Sequence, residues 1–242
     1  MTLKAARDLV SEAERLVVLS GAGLSAESGL STYRGAGGYW RQHRATDLAT
    51  PEAFERDPAL VWEWYSERRR AALEALPNPA HHALASFQEQ RGRDRVALVT
   101  QNVDGLLQRA GAPEVLELHG SLFRVRCSAR CGGECHDERT PWPHPVPCAA
   151  CGAPLRPGVV WFGESLPELV YASAIDLASS ADVVLVVGTS AVVQPAAGLA
   201  TIGAQHGAAV VEVNLEPTPL SGSVNVSLLA AAGEVLPVLL AT

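Results

Sequence analysis

Residues Val17 to Trp40 read VVLSGAGLSAESGLSTYRGAGGYW, an apolar strand running straight into a glycine-rich turn, and no other stretch constrains the fold as strongly. Leu16 to Leu19 predicts a buried strand. Gly21 and Gly23 allow a tight turn and close backbone approach to a ligand, and Ala26 takes the close-packing place of a G-x-G-x-x-A dinucleotide loop. The amides of such a turn are expected to face a pyrophosphate. A hydride-transfer unit would continue to a second strand ending in Asp or Glu about 20 residues on, there to hold the ribose. This chain instead runs through Arg34, Gly35, Gly37 and Gly38 into polar and aromatic sequence. A long loop over the ligand is expected, and a dehydrogenase is disfavoured.

Short apolar runs then recur between helical segments. Strands are expected at Leu16–Ser20, Val96–Thr100, Val115–Leu118, Val183–Gly188, Ala209–Asn214 and Val224–Leu228, with helices over Thr2–Glu14, Val103–Ala110, Leu166–Ser179, Pro195–His206 and Glu234–Leu240. This is an α/β layout, a Rossmann-like doubly wound parallel sheet built from residues 1–34, 80–120 and 158–242. Two insertions form a small second domain. One, 35–79, carries a helix at Ala59–Ala75 that starts after Asp57-Pro58; the other, 121–157, bears every cysteine.

With 242 residues, 48% of them hydrophobic, the chain can bury one core and a small second lobe. A net charge of −7 supplies no basic field for nucleic acid or anionic lipid, so neither partner is expected. No apolar run reaches the ~20 residues of a membrane span. Glu12 and Glu14 exclude a secretory apolar core near the N-terminus, and a cytoplasmic monomer is expected.

Five cysteines crowd into positions 127 to 151, an odd number in one window, which suits a metal better than disulfides. Cys148-Ala-Ala-Cys151-Gly is a knuckle presenting two thiolates to a tetrahedral cation, and an upstream pair must complete it. Cys127 and Cys131 are selected because Cys131-Gly132 mirrors Cys151-Gly152; Cys135 stays the alternative. Four thiolates leave no open position, so one structural zinc ion is expected, with catalysis elsewhere.

Two further pieces end strands, where α/β folds hold their ligands. In Thr100-Gln101-Asn102-Val103-Asp104-Gly105, Asn102 and Asp104 either serve a ligand or cap the next helix. In Leu118-His119-Gly120, His119 either accepts a proton from a sugar hydroxyl or is satisfied by backbone groups.

Together these pieces resemble the sirtuin family of NAD-dependent protein-lysine deacylases. The resemblance spans nearly the whole chain: GAGLSAESG (Gly21 to Gly29), STYRG (Ser31 to Gly35), TQNVDG, LHG, the paired cysteines, RPGVVWFGE (Arg156 to Glu164), VGTSAVVQPAAGL (Val187 to Leu199) and VNLE (Val213 to Glu216). It implies that Gly21, Ala22, Gly23, Ser25, Ala26 and Glu27 line the pyrophosphate, with Tyr33, Arg34 and Trp40 above the nicotinamide. Gln101, Asn102 and Asp104 would orient nicotinamide and ribose, and Asn102 and Asp104 would join His119, the general base, as catalytic residues. Gly188, Thr189, Ser190, Asn214, Leu215, Glu216 and Ala232 would line the adenosine side. Val159, Val160, Trp161, Phe162 and Gly163 would pair, along an exposed edge, with an acyl-lysine peptide. The implied reaction yields nicotinamide and O-acyl-ADP-ribose and consumes NAD.

GAGGYW with Tyr65-Ser66-Glu67-Arg68 is similar to the class III members, which remove succinyl, malonyl and glutaryl groups. Residues three apart share a helix face, so Tyr65 and Arg68 can both reach one acyl carboxylate. Read without the resemblance, Arg68, Arg69 and Arg70 are a solvated helix face. The rival activities are mono-ADP-ribosyl transfer and acetyl-preferring deacetylation. An oxidoreductase lacks its ribose-binding acid, and a zinc-ribbon binding module leaves most of the chain unexplained.

Overall fold

The computed structural model describes residues 2–32, 39–143 and 146–241. Its centre is a six-stranded parallel sheet in the order β11-β10-β9-β1-β4-β5. The strands are β1 (Leu16–Ser20), β4 (Val96–Thr100), β5 (Val115–Glu117), β9 (Val183–Val187), β10 (Ala209–Asn214) and β11 (Val226–Leu229). All six expected strands form, each within two residues of its expected ends. Short runs of Val and Leu suit a sheet buried on both faces.

Alternation along each strand divides the core in two. Leu16, Val18, Val96, Leu98, Val183 and Leu185 face Ala6, Val10, Leu84, Phe87 and Leu236. Those partners lie on α1 (Leu3–Glu12), α6 (Pro79–Arg91) and α10 (Ala232–Leu239). Val17, Leu19, Val99, Val184 and Val186 face Ala174, Ala178, Leu199 and Ala200. Their carriers are α8 (Glu168–Ser179) and α9 (Gly198–Gln205).

Helix α6 was not expected from the sequence. Its buried face includes His81 and Gln88 beside Ala80, Leu84, Ala85 and Phe87, so no clean apolar stripe marks it. Its start was legible. Asn78 accepts from the amides of Ala80 and His81, the His81 ring accepts from the Asn78 amide, and Pro79 takes the first turn. Elsewhere helices are shorter than expected: 103–110 narrows to α7 (Leu106–Arg109), and 195–206 to α9.

The small body combines both insertions. From the first come β2 (Tyr39–Trp40), β3 (His43–Arg44), α3 (Ala45–Leu48), α4 (Pro51–Arg56) and α5 (Pro58–Glu74). The second gives an antiparallel sheet, β7-β6-β8, from β6 (Gly120–Cys127), β7 (Cys135–His136) and β8 (Leu155–Val159). Val61, Trp62, Trp64 and Tyr65 of α5 pack with Leu122, Val125, Trp142 and Trp161 as one core. The last element, α2 (Gly23–Ala26), follows β1.

Arginines 68 to 70 do not form one solvated face. Successive helix positions differ by about 100°, so Arg70 is exposed, Arg68 half-buried and Arg69 fully buried. Among the described residues no helix is long and apolar enough to cross a membrane.

Candidate active site

From β1 the chain proceeds outward to β4 and β5 on one side, then returns to β9 on the other, so the strand order reverses between β1 and β9. The crevice at the carboxyl ends of such a pair is where open α/β sheets bind ligands. Here two turns interlock. Gly21 N donates to Val187 O at 3.0 Å and Gly23 N to Gly188 O at 2.7 Å. A Cβ on Gly23 would lie 2.7 Å from Gly188 Cα, and Gly188 itself sits at φ +58 against the Leu24 amide.

The glycines are therefore needed first for the close approach of these two turns of the chain. This corrects the expectation of open amides: Leu24 N donates to Gly21 O and Ser25 N to Ala22 O as well, so four amides of residues 21–25 are already engaged. Ala26 is half-buried, and the tight approach falls at Gly21 and Gly23 rather than there. Glu27 is exposed, and its carboxylate accepts from Gly233 N at 2.7 Å, fastening the start of α10 beside Ala232.

Behind the turn lies a polar relay. Asn102 Nδ2 donates to Gly21 O (3.0 Å) and to Ser25 Oγ (3.1 Å). Ser25 Oγ donates to Asp104 Oδ2 at 2.8 Å, and Asp104 Oδ1 accepts from Leu106 N. Asp104 thus serves both the crevice and the start of α7; Asn102 serves only the crevice. His81 is the residue that sequence reasoning missed. Its Nδ1 accepts from Asn78 N, so Nε2 carries the proton and faces Ser25 Oγ at 3.4 Å. Burial, then the neighbouring His82, push His81 down to about 4, which keeps it neutral. Burial raises Asp104, opposed by the Leu106 amide, the Ser25 hydroxyl and the charges of Arg68 and Arg109.

His119 follows β5. Its Nδ1 lies 3.0 Å from Gln101 O, a carbonyl, so Nδ1 carries the hydrogen and Nε2 is left with its lone pair. Burial lowers His119, and the Gln101 carbonyl partly offsets this. Gln101 Nε2 donates to Thr189 Oγ1 at 3.2 Å, and Asn214 Nδ2 to Thr189 O at 2.9 Å, which joins the ends of β4, β9 and β10. Half-buried Ser190 adjoins this knot, and Leu215 and Glu216 project beside it into solvent. Tyr33 and Arg34 lie outside the described residues. Trp40 donates Nε1 to Glu67 on α5 at 2.6 Å, which ties β2 to that helix.

On α5, Tyr65 is 1% exposed and its phenol oxygen accepts from Trp161 Nε1 at 2.9 Å. The Arg68 guanidinium lies 5.1 Å from the Trp64 ring and 5.5 Å from that of Tyr65. The segment 159–163 is less open than expected. Val160 N donates to His119 O, Trp161 N to Glu164 Oε2, and Phe162 N to Ala49 O. Val159 and Trp161 are buried, Val160 is half-buried, and Phe162 and Gly163 are exposed.

The four selected cysteines converge. The sulfurs of Cys127, Cys131, Cys148 and Cys151 all lie within 4.8 Å of one another, with neighbours at 3.4 and 3.5 Å. A tetrahedral zinc with bonds of about 2.3 Å spaces its sulfurs by roughly 3.8 Å. The donor set fits one structural zinc ion. Cys135 sits on β7 outside the cluster. Chelation with verified metal loss is expected to lower the melting temperature by about 5 °C or more, as read by circular dichroism; unchanged melting would contradict a structural ion.

A model of the Sir2 family matches residues 21–195. The chain is 50% identical over 230 residues to NAD-dependent protein deacylase 2 of Pyrobaculum aerophilum, covering 95% of this chain and 91% of that protein. It is 50% identical over 238 residues to the NAD-dependent protein deacylase of Ralstonia nicotianae, covering 98% and 95%. Among solved structures it resembles a Sir2 homologue in complex with NAD (TM-score 0.91, 46% identity, covering 99% and 93%). It also resembles a Sir2–p53 peptide–NAD⁺ complex (TM-score 0.84, 33% identity, covering 98% and 96%).

Proposed function

This chain belongs to the Sir2 family, and from that premise we propose that it removes acyl groups from protein lysines at the expense of NAD, favouring acyl chains that end in a carboxylate. The observation that carries the general reaction is His119, a half-buried neutral imidazole whose Nδ1 is tied to Gln101 O so that Nε2 can accept a proton.

NAD supplies an activated ribose, which the acyl-lysine carbonyl oxygen attacks as nicotinamide departs. The protein's work is positioning. Asn102, Ser25 and Asp104 form one connected set at the floor of the crevice, suited to orienting nicotinamide and its ribose, and Asp104 offers negative charge beside the developing cation. Gln101, Thr189 and Asn214 hold the adenosine side together. His119 Nε2 then takes the proton of a ribose hydroxyl, which captures the acyl group; water completes the release of lysine and O-acyl-ADP-ribose. The peptide runs along 159–163. Because the amides of Val160, Trp161 and Phe162 are already engaged, the peptide meets carbonyls and the exposed face of Phe162.

The diacid preference is supported by α5. Arg68 is half-buried over two aromatic rings, and its charge reaches Asp104 in the crevice, where it opposes the upward shift that burial causes. A charge-assisted hydrogen bond in such a setting is worth about 1.5–3 kcal/mol. Tyr65, steadied by Trp161, stands three residues earlier on the same helix.

Kinetics on acetyl-, malonyl- and succinyl-peptides test the reading, with products identified by mass spectrometry. O-acyl-ADP-ribose and a higher kcat/KM for the acidic acyl groups are expected; ADP-ribosylated peptide as the main product would overturn it. Arg68→Met should lower succinyl-peptide kcat/KM by about 10- to 150-fold while sparing acetyl-peptide. Equal loss on both substrates would mark Arg68 as structural.

A further inference from the structure

We propose that Glu164 is a positioning residue for the peptide substrate, gathering three arginines of the cysteine-bearing module behind segment 159–163 and fixing the shape of that segment. The proposal rests on the deacylase reading above and adds to it a residue that touches neither NAD nor the acyl chain.

The Glu164 side chain is 6% exposed. Its Oε1 accepts from Arg156 Nη1 at 2.8 Å and from Arg126 and Arg130 Nη2 at 3.3 Å. Its Oε2 accepts from Arg156 Nη2 at 2.9 Å, from Arg126 Nη2 at 3.1 Å and from the Trp161 amide at 2.9 Å. Arg156 also donates to Val159 O at 2.9 Å, and its guanidinium lies 3.3 Å from the centre of the Trp161 ring.

Both ends of one short peptide segment therefore hang on one carboxylate: the Trp161 amide directly, the Val159 carbonyl through Arg156. A single carboxylate shared by three guanidiniums in a nearly closed site is costly to disturb, because removing its charge leaves cations facing one another. Glu134, 3.7 Å from Arg126, is the other acidic group of the cluster and stands on its outer side.

The cluster also reaches the knuckle. Arg130 directly precedes Cys131, and Arg126 directly precedes Cys127. Seating of the metal site can thus be felt at the peptide edge while the NAD crevice, whose hydrogen bonds run through β1, β4, β9 and β10, is left alone. That separation is the testable content: a positioning role predicts damage to peptide binding alone, a merely structural role predicts uniform damage.

The experiment uses the full-length, zinc-loaded protein. A fluorescent acetyl-lysine peptide is titrated in the presence of ADP-ribose and followed by anisotropy, while ADP-ribose affinity is measured by calorimetry. For Glu164→Gln, peptide affinity is expected to weaken about tenfold, with ADP-ribose affinity within about twofold of wild type. Arg130→Ala removes the 73% exposed member of the trio and should fold normally. It is expected to weaken the peptide about two- to threefold. Peptide affinity unchanged in both variants, or peptide and ADP-ribose affinity falling together, overturns the proposal. A wild-type protein that binds peptide but releases no nicotinamide sinks the deacylase reading instead. One that binds no acyl-peptide sinks both.

Discussion

Replacing His119 with Ala is expected to lower deacylation kcat/KM by about 10²- to 10⁴-fold, the range typical of a lost general base. ADP-ribose affinity should change little, since the His119 ring bonds Gln101 O and not the knot of Gln101, Thr189 and Asn214 side chains. In the proposed reaction nicotinamide leaves before the proton transfer to His119, so base exchange with labelled nicotinamide should persist in the variant. Loss of exchange to the same degree as loss of product would remove His119 from that role. The pH dependence carries a sign. Burial lowers the imidazole pKa below its usual value of about 6.5, so the base stays neutral into mildly acidic solution. Activity should fall as pH drops through that lowered value, and an acid limb at or above pH ~6.5 would contradict a partly desolvated neutral ring.

Arg69→Met is expected to destabilise the protein by about 3–5 kcal/mol, or about 6–20 °C of melting temperature for a chain of this size. Arg69 has no exposed side-chain surface. It donates to Leu122 O at 2.6 Å, Arg139 O at 3.1 Å and Arg124 O at 3.3 Å, and pairs with Asp137 at 3.4 Å. Its guanidinium lies 5.1 Å from the ring of Trp62 and 5.4 Å from that of Trp142, two rings stacked on each other at 4.5 Å. Burial lowers it to about 10, so it remains charged at neutral pH. Methionine fills the volume but leaves three carbonyls without this donor, while the Asp137 carboxylate keeps only Arg139, whose Nε donates to it at 2.8 Å. Arg69→Lys should recover only part of the loss, because one ammonium cannot match the fork. A melting shift under about 2 °C for Arg69→Met would show that these carbonyls find other partners.

Arg69 also shows where local pattern stops being informative. Three consecutive arginines read as solvent-facing because charge is cheapest in water. The burial of the middle one depends on carbonyls more than fifty residues away along the chain. Helix α6 escaped for a related reason: His81 and Gln88 face inward because Ser25, Val96 and Glu114 supply partners there, and no periodicity of apolar residues records that. The open-amide expectation at Gly21 and Gly23 failed because Val187 and Gly188, at the end of β9 and the turn after it, take those amides and the space first.

What the chain determined alone were features coded at short range. Runs of Val and Leu specified six strands by their length and composition, the glycines after Cys131 and Cys151 singled out four of five thiolates, and Asp57-Pro58 specified a helix start. Tertiary structure decided which polar groups meet. Ser25 meets His81 and Asp104, Gln101 meets His119, and Glu164 meets Arg126 and Arg130, each across 18 to 79 residues of sequence. The physical reason is that a hydrogen bond or ion pair depends on distance and desolvation at the final site, which separation along the chain does not encode.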